Sequence, residues 1–519
     1  MRTTLAAAAM LAGWCATAQG QALPRATLSV HVDRPIRVIP REIFGVNLEW
    51  SHDASGLWNT QAKAFFPERL AKVKEIGFGS LRYPGGTLSD YFHWQGAIGD
   101  ARQEQLNPFY LHDSAATKLM YPAYGPAEFL QTAEALGATP WITANVGTGT
   151  AQEAAAWAEW CREQGHEVKL WEIGNEVYLK PDFPEGVQLF AAEYAAKLRE
   201  FAGALRAVNP DNIVCAIGQM PAIGIMEGGI SEKDWNRVVI EGCAQQMDCL
   251  ALHHAYAPLV MLGPDGKLQP LAKVYRSLLG ASVSVRFTTD AVLKQIRDSA
   301  PDRADHISLA VTEHEGLFYP LPGEDLLKQV RPNRTLASAV YLATLYNLFL
   351  TEPKIRYAHK MTLITPVFGG VLGTSWEPGG GIWPNPHFWV CREYARTAGQ
   401  TVVACDTQSP AYSVGAVGYV PDLPAVPYLD ATAALSDAGE LTVFLVNRSL
   451  DQPLPVALTT PGFVAGKGSA VVVSGPSYDV TNDSAAALTV QPAEAEVTMG
   501  NTMALELPPC SLTVVRLGR

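Results

Sequence analysis

Between residues 43 and about 399, short apolar, β-branched runs alternate with stretches in which apolar residues return every three to four positions. The first pattern predicts buried strands and the second amphipathic helices. Eight strands are expected, over 43–48, 79–84, 140–146, 168–176, 212–218, 249–256, 306–315 and 361–368. Helical stretches fall between them, among them 67–76, 127–136, 151–164 and 188–208. In the second of these Phe129, Leu130, Ala133 and Leu136 form one stripe. Eight strand–helix units fit a closed parallel (β/α)8 TIM barrel over 43–400. An open doubly wound sheet fits less well, because no Gly-x-Gly-x-x-Gly turn opens any helix.

The ends of the chain read differently. Past about Thr401 the helical period disappears and short strands separated by Gly, Pro, Asn and Asp take over. This predicts a β-sandwich over 401–519, completed by N-terminal strands over 24–42. Before them, Met1-Arg2, an apolar run from Leu5 to Gly13 and Ala16-Thr17-Ala18 have the form of a signal peptide over 1–18, with cleavage as late as residue 22. Its apolar run is too short to span a bilayer, and no later stretch is long enough, so a secreted or periplasmic protein is expected.

Composition narrows the function. The 519 residues are 48% hydrophobic and carry a net charge of −12, with no basic cluster, which argues against nucleic acid or an anionic membrane as partner. Beyond Cys15 there are seven cysteines: Cys161, Cys215, Cys243, Cys249, Cys391, Cys405 and Cys510. The odd count requires a free thiol; Cys243 and Cys249 are close enough in sequence to bridge, whereas Cys161 and Cys215 read as buried thiols. No CxxC pair or His/Cys ligand spacing appears, so no metal and no cofactor are expected.

In such a barrel the chemistry lies at the carboxyl ends of the strands. These ends supply Glu49-Trp50, then Arg82-Tyr83-Pro84-Gly85-Gly86, Asn145–Gly149, Gly174-Asn175-Glu176, His253-His254-Ala255-Tyr256 and Thr312-Glu313-His314-Glu315. A Gly/Trp loop containing Trp376 and Trp383 follows the last strand. Polar and aromatic groups gathered at one end of apolar strands suit a polyhydroxylated ligand. Two strand-end acids, Glu176 and Glu313, fit the paired carboxylates of glycoside hydrolysis, with Glu315 the alternative to Glu313. Glu172, mid-strand, reads as the structural partner of a basic group.

Trp171-Glu172-Ile173-Gly174-Asn175-Glu176 resembles the acid/base motif of the clan-A glycoside hydrolases. With Arg82–Gly86, His93-Trp94, Asn145–Gly149 and the closing Leu507–Val515, the chain is most similar to family-51 α-L-arabinofuranosidases. That resemblance implies a retaining double displacement on a poly- or oligosaccharide. Glu176 is the implied acid/base and Glu313 the nucleophile. Arg82 and Tyr256 would contact Glu313, and Asn175 the sugar 2-hydroxyl. Glu49, His253 or His254, and Trp376 would supply further substrate contacts. Two departures stand out: Thr87 replaces the usual Asn after Pro-Gly-Gly, and Thr312-Glu313-His314 replaces Asp-Glu-Trp. Both are expected to border the sugar, which leaves a pyranose substrate, an endo-acting clan-A enzyme or a non-catalytic carbohydrate-binding protein as alternatives. The loop 373–383 and the insertion 258–284 are expected to shape the cleft.

Overall fold

The computed structural model describes residues 22–518 apart from 52, 53, 55, 108–118, 180–185, 220–233, 258–266, 268, 317–329, 366–367, 376–379, 419 and 465. After a first strand, β1 (Ala26–Val38), eight strands run parallel in chain order. They are β2 (Gly45–Asn47), β3 (Ser80–Tyr83), β4 (Thr139–Ala144), β5 (Leu170–Ile173), β6 (Ile213–Ile217), β7 (Cys249–Ala251), β8 (Ser308–Glu315) and β9 (Ile355–Lys360). β7 pairs with β8 and β9 pairs with β2, so the sheet closes on itself as the alternating pattern predicts.

The helices between the strands begin where the chain supplies caps. Helices α1 (Pro67–Lys74) and α2 (Pro126–Leu136) each place a proline in the first turn, where its missing N–H costs nothing. Thr150 caps α3 (Ala151–Glu163), its hydroxyl accepting from Glu153 N at 3.1 Å. Helices α4 (Ala191–Val208), α5 (Trp235–Cys243), α6 (Leu271–Ser299), α7 (Leu336–Thr351) and α8 (Pro386–Ala395) complete the outer ring. Helix α7 is apolar all round, and every residue from Leu336 to Leu350 is buried. It lies between β9 and the C-terminal strands, so both of its sides are covered.

Two of these elements correct the sequence reading. The last barrel strand is Ile355–Lys360 and not 361–368. The segment Ile-Arg-Tyr-Ala-His-Lys looks too polar for a buried strand, but partners on neighbouring strands take up one His359 ring nitrogen and the Lys360 ammonium. His359 Nε2 lies 3.0 Å from Ser80 Oγ, and Lys360 Nζ lies 3.0 Å from Glu315 Oε2. Within the expected cleft insertion 258–284, everything from Leu271 onward belongs to α6.

The C-terminal strands are β10 (Thr401–Gln408), β11 (Leu429–Leu435), β12 (Leu441–Asn447), β13 (Leu454–Thr459), β14 (Lys467–Val473), β15 (Pro492–Thr498), β16 (Met503–Leu507) and β17 (Ser511–Leu517). With β1 they form one ladder in the order β15-β14-β17-β12-β11-β10-β1-β13-β16. The ladder curls over a shared core that includes Val30, Leu445, Leu458, Met503 and Leu517. The N-terminal strand therefore sits within the C-terminal module, antiparallel to β10 and parallel to β13. Fully buried Glu393 of α8 ties barrel to sheet by accepting from Arg516 Nη2 at 2.6 Å. All seven cysteines described are free thiols, so Cys243 and Cys249 form no bridge.

Candidate active site

The two-residue period of the strands decides what enters the barrel. Along β5, Trp171 and Ile173 pack outward against the helices, whereas Leu170 and Glu172 point into the barrel. β4 does the same with Trp141 and Thr143, and β8 with Ala310 and Thr312. Trp141, Leu170, Cys215, Cys249, Ala310 and Tyr357 form an apolar floor inside the barrel. A polar layer lies above it. There Arg82 donates Nε to Glu172 Oε2 at 2.6 Å, Nη1 to Asn47 Oδ1 at 3.0 Å, and Nη2 to Asn175 Oδ1 at 2.8 Å.

The two strand-end glutamates meet on top of this layer. Arg82 Nη1 also donates to Glu313 Oε1 at 3.1 Å, and the Tyr256 hydroxyl donates to Glu313 Oε2. His253 Nδ1 lies 2.7 Å from Glu176 Oε1 and 3.8 Å from Glu313 Oε2. The facing oxygens therefore lie no farther apart than those two distances laid end to end. A pair this close suits a retaining displacement (~5–5.5 Å) better than an inverting one (~6.5–9.5 Å).

Local backbone geometry aims the first acid. Gly174 has φ +80°, and a Cβ there would meet Val146 Cγ1 at 2.2 Å, so only glycine fits. Glu176 itself has φ 45°, a left-handed conformation that costs an L-residue roughly 1–2 kcal/mol. Buried Asp90 supports the turn from behind, its Oδ2 accepting from Asn175 N at 2.9 Å. Burial pushes the Asp90 carboxyl up to about 8, against the lowering effect of that and other backbone donors.

Charge in the site is shared. Burial would lower the Arg82 pKa, but Glu172 and Glu313 outweigh it and hold the guanidinium charged. Burial likewise opposes a charge on His253, yet the carboxylates of Glu313 and Glu176 raise its ring above the usual imidazole value. Tyr256 is pushed well above the usual phenol value, by burial first and then by Glu313 and Glu176, so it remains a donor. Half-buried Glu49 accepts from Ser51 Oγ at 3.2 Å; desolvation, with a smaller push from Glu313, raises it to about 7.

Arg82, Asn175, Glu176, His253, Tyr256, Glu313 and Glu49 are thus gathered at one end of the barrel. Glu172 is a structural partner of a basic group, as its mid-strand place suggests. Three expectations are corrected. His254 turns away to α6, with Nε2 2.9 Å from Thr289 Oγ1, and burial drives its ring to about 3, so it stays a neutral core residue. His314 does not border the cleft but packs edge-on against Tyr346 and Phe349 of α7. The pairing of β8 with β9 shifts register between Val311 and His314, which breaks the alternation that would have turned His314 inward. Glu315 is fully committed to Lys360 Nζ and Gly369 N and makes no contact with Glu176. Trp376 lies outside the described residues. Asp90 serves the site and escaped the sequence reading, and Asn47 and Thr312 stand at the strand ends without the sequence showing what they hold. Asn47 is a polar residue in an apolar run, but Thr312 looks like any β-branched strand residue and Asp90 lies off the strands.

Gly86 has a close approach of its own. A Cβ there would stand 2.5 Å from Glu313 Oε1 and 3.5 Å from Asn175 Nδ2. Gly86→Ala is expected to lower kcat/KM by ~10²-fold through displacement of these groups, with the melting temperature little changed. Kinetics beside a thermal melt would check it; unchanged kinetics would contradict the close approach.

The chain is similar in sequence and in fold to known proteins. Residues 327–511 match the family model described as alpha-L-arabinofuranosidase C-terminal domain. The probable alpha-L-arabinofuranosidase C of Aspergillus terreus is 26% identical over 88% of this chain and 91% of its own length. An intracellular exo-alpha-L-arabinofuranosidase of Bacteroides ovatus is 23% identical over 95% of each chain. Among solved structures, the GH51 arabinofuranosidase of Xanthomonas axonopodis pv. citri superposes with a TM-score of 0.79 at 19% identity, covering 95% of this chain and 99% of that one. The arabinose complex of the Thermotoga maritima alpha-L-arabinofuranosidase gives 0.78 at 22% identity with the same coverage.

Proposed function

We propose that this chain, a family-51 arabinofuranosidase-like glycoside hydrolase, is a retaining α-L-arabinofuranosidase acting on poly- or oligosaccharides. The observation that carries the reading is the single ring nitrogen of His253 touching both strand-end carboxyls. Glu176 protonates the departing glycosidic oxygen while Glu313 attacks the anomeric carbon, forming a glycosyl ester. The two donors on Glu313, from Arg82 and Tyr256, orient it for attack. Having given its proton to the leaving group, Glu176 then takes a proton from the water that attacks the ester. Asn175, held by Arg82 and Asp90, has its amide nitrogen free to donate to the sugar 2-hydroxyl. Glu49, held near neutrality at the mouth, accepts from or donates to a further hydroxyl according to pH.

Hydrolysis of a panel of aryl furanosides and pyranosides tests the sugar. Turnover of the α-L-arabinofuranoside above all others is expected. Preference for a pyranoside would refute the furanose assignment and implicate Thr87, the departure that directly follows the Gly86 contact with Glu313. Binding of glycans without turnover of any glycoside would refute hydrolysis altogether. Export belongs to the same proposal and rests on the charged, apolar and small-residue order of residues 1–18; a secreted form beginning between residues 19 and 23 is its expected product.

A further inference from the structure

Glu172 accepts four side-chain hydrogen bonds inside the barrel and touches neither catalytic carboxyl. Its Oε2 accepts from Arg82 Nε at 2.6 Å, Thr143 Oγ1 at 2.9 Å and Trp141 Nε1 at 3.2 Å, and its Oε1 accepts from Thr312 Oγ1 at 2.8 Å. Four donors converge on a residue that is 1% exposed, so it is a carboxylate acting only as acceptor.

That arrangement spends the Thr312 proton. With its hydrogen on Glu172, the Thr312 hydroxyl can only accept from His253 Nε2, 2.9 Å away. His253 Nε2 therefore carries a proton, and Nδ1 is left facing Glu176 Oε1 at 2.7 Å. A contact that short between Nδ1 and a carboxyl oxygen holds one proton, on the ring or on the acid. Through Arg82 the same Glu172 also reaches Glu313. We propose that Glu172 is a positioning residue for both halves of the reaction: through Thr312 it fixes the His253 tautomer that shares a proton with Glu176, and through Arg82 it shares the cation that steadies Glu313. The inference rests on the acid/base and nucleophile roles proposed above.

The other charged and titratable neighbours allow the consequence to be worked out. Asp90 lies behind the Glu176 turn with its carboxyl raised by burial. The Cys215 thiol in the floor and the Tyr194 phenol outside the barrel are both pushed well up by burial and stay neutral. Arg82, His253 and Glu313 remain as the groups that respond to Glu172. In Glu172→Gln the amide oxygen takes the three-donor side and the amide NH2 faces Thr312. Thr312 must then accept from that amide and donate to His253 Nε2, which moves the ring proton to Nδ1. Nδ1–H stabilises ionised Glu176 and disfavours the acid form. Arg82, freed of a competing anion, keeps Glu313 as its remaining carboxylate partner.

The test compares activated aryl glycosides with glycosides of poorly acidic alcohols across pH, in the wild type, Glu172→Gln, Thr312→Val, Thr312→Ser and Glu176→Ala. Glu172→Gln is expected to lose about tenfold or more on the poor leaving group relative to the activated one, a fraction of what general acid catalysis supplies. The basic limb of its kcat/KM profile moves to lower pH. Thr312→Val should reproduce the leaving-group dependence and Thr312→Ser should behave as the wild type, which carries the test if Glu172→Gln does not fold. Equal losses on both leaving groups with an unmoved basic limb, or no loss, would overturn the inference while Glu176→Ala still shows its own leaving-group dependence. Absence of that dependence in Glu176→Ala would overturn the acid/base reading and this inference with it.

Discussion

Glu313→Gly is expected to lower turnover of every glycoside by ~10⁴-fold or more, the scale seen when a covalent nucleophile is removed. Nothing nearby replaces it. Glu315 is two residues along but is held by Lys360 and Gly369, and Glu49 is held near neutrality by desolvation. The deletion leaves a gap bounded by Arg82 and Tyr256, a cationic donor and a hydroxyl donor suited to a small anion. Azide should therefore restore part of the rate on an activated aryl glycoside and give a glycosyl azide of inverted configuration. Melting temperature serves as the control, because Arg82 keeps its pairing with Glu172 and does not become a lone buried cation. Retention of most of the activity would remove Glu313 from the mechanism.

Glu176→Ala is expected to act differently. Its first step needs the acid only when the leaving group is poor, so the loss on natural saccharides should be ~10²–10⁴-fold, with far less on an activated aryl glycoside. The second step lacks its base for any substrate, so glycosyl-enzyme accumulates and product appears as a burst. Azide now attacks the glycosyl ester and yields a product of retained configuration. The two variants thus differ in the stereochemistry of their azide products, which damage to the fold would not produce. Loss of leaving-group dependence, or absence of a burst, would show that Glu176 is not the acid/base.

Much of this site can be read from the chain because acids are costly in apolar strands. Glu172 and Glu176 stand out in a run otherwise made of Leu, Trp, Ile, Gly and Asn, and a barrel sends the end of such a run to the catalytic face. Arg82 is equally conspicuous before Pro-Gly-Gly. What escapes is whatever depends on the third dimension. Strict alternation cannot foresee the register shift between Val311 and His314, so it turns the wrong side chain toward the cleft. Thr312 gives no sign of its place between Glu172 and His253, since threonine is ordinary in strands. Asp90 comes from a turn after β3 and meets Asn175 only through the fold. The last barrel strand was hidden by His359 and Lys360, whose polarity is offset by partners on neighbouring strands. Tertiary pairing, not local pattern, decides each of these.

The pairing of Glu176 with Glu313 is tested most directly by trapping the intermediate. Glu176→Ala would be mixed with an activated aryl α-L-arabinofuranoside, quenched in acid, and analysed by intact mass and peptide mapping. One anhydropentose attached to the peptide of β8, on Glu313, is the predicted result. Attachment to Glu315, or full release of the aryl group with no covalent adduct at any time, would contradict it.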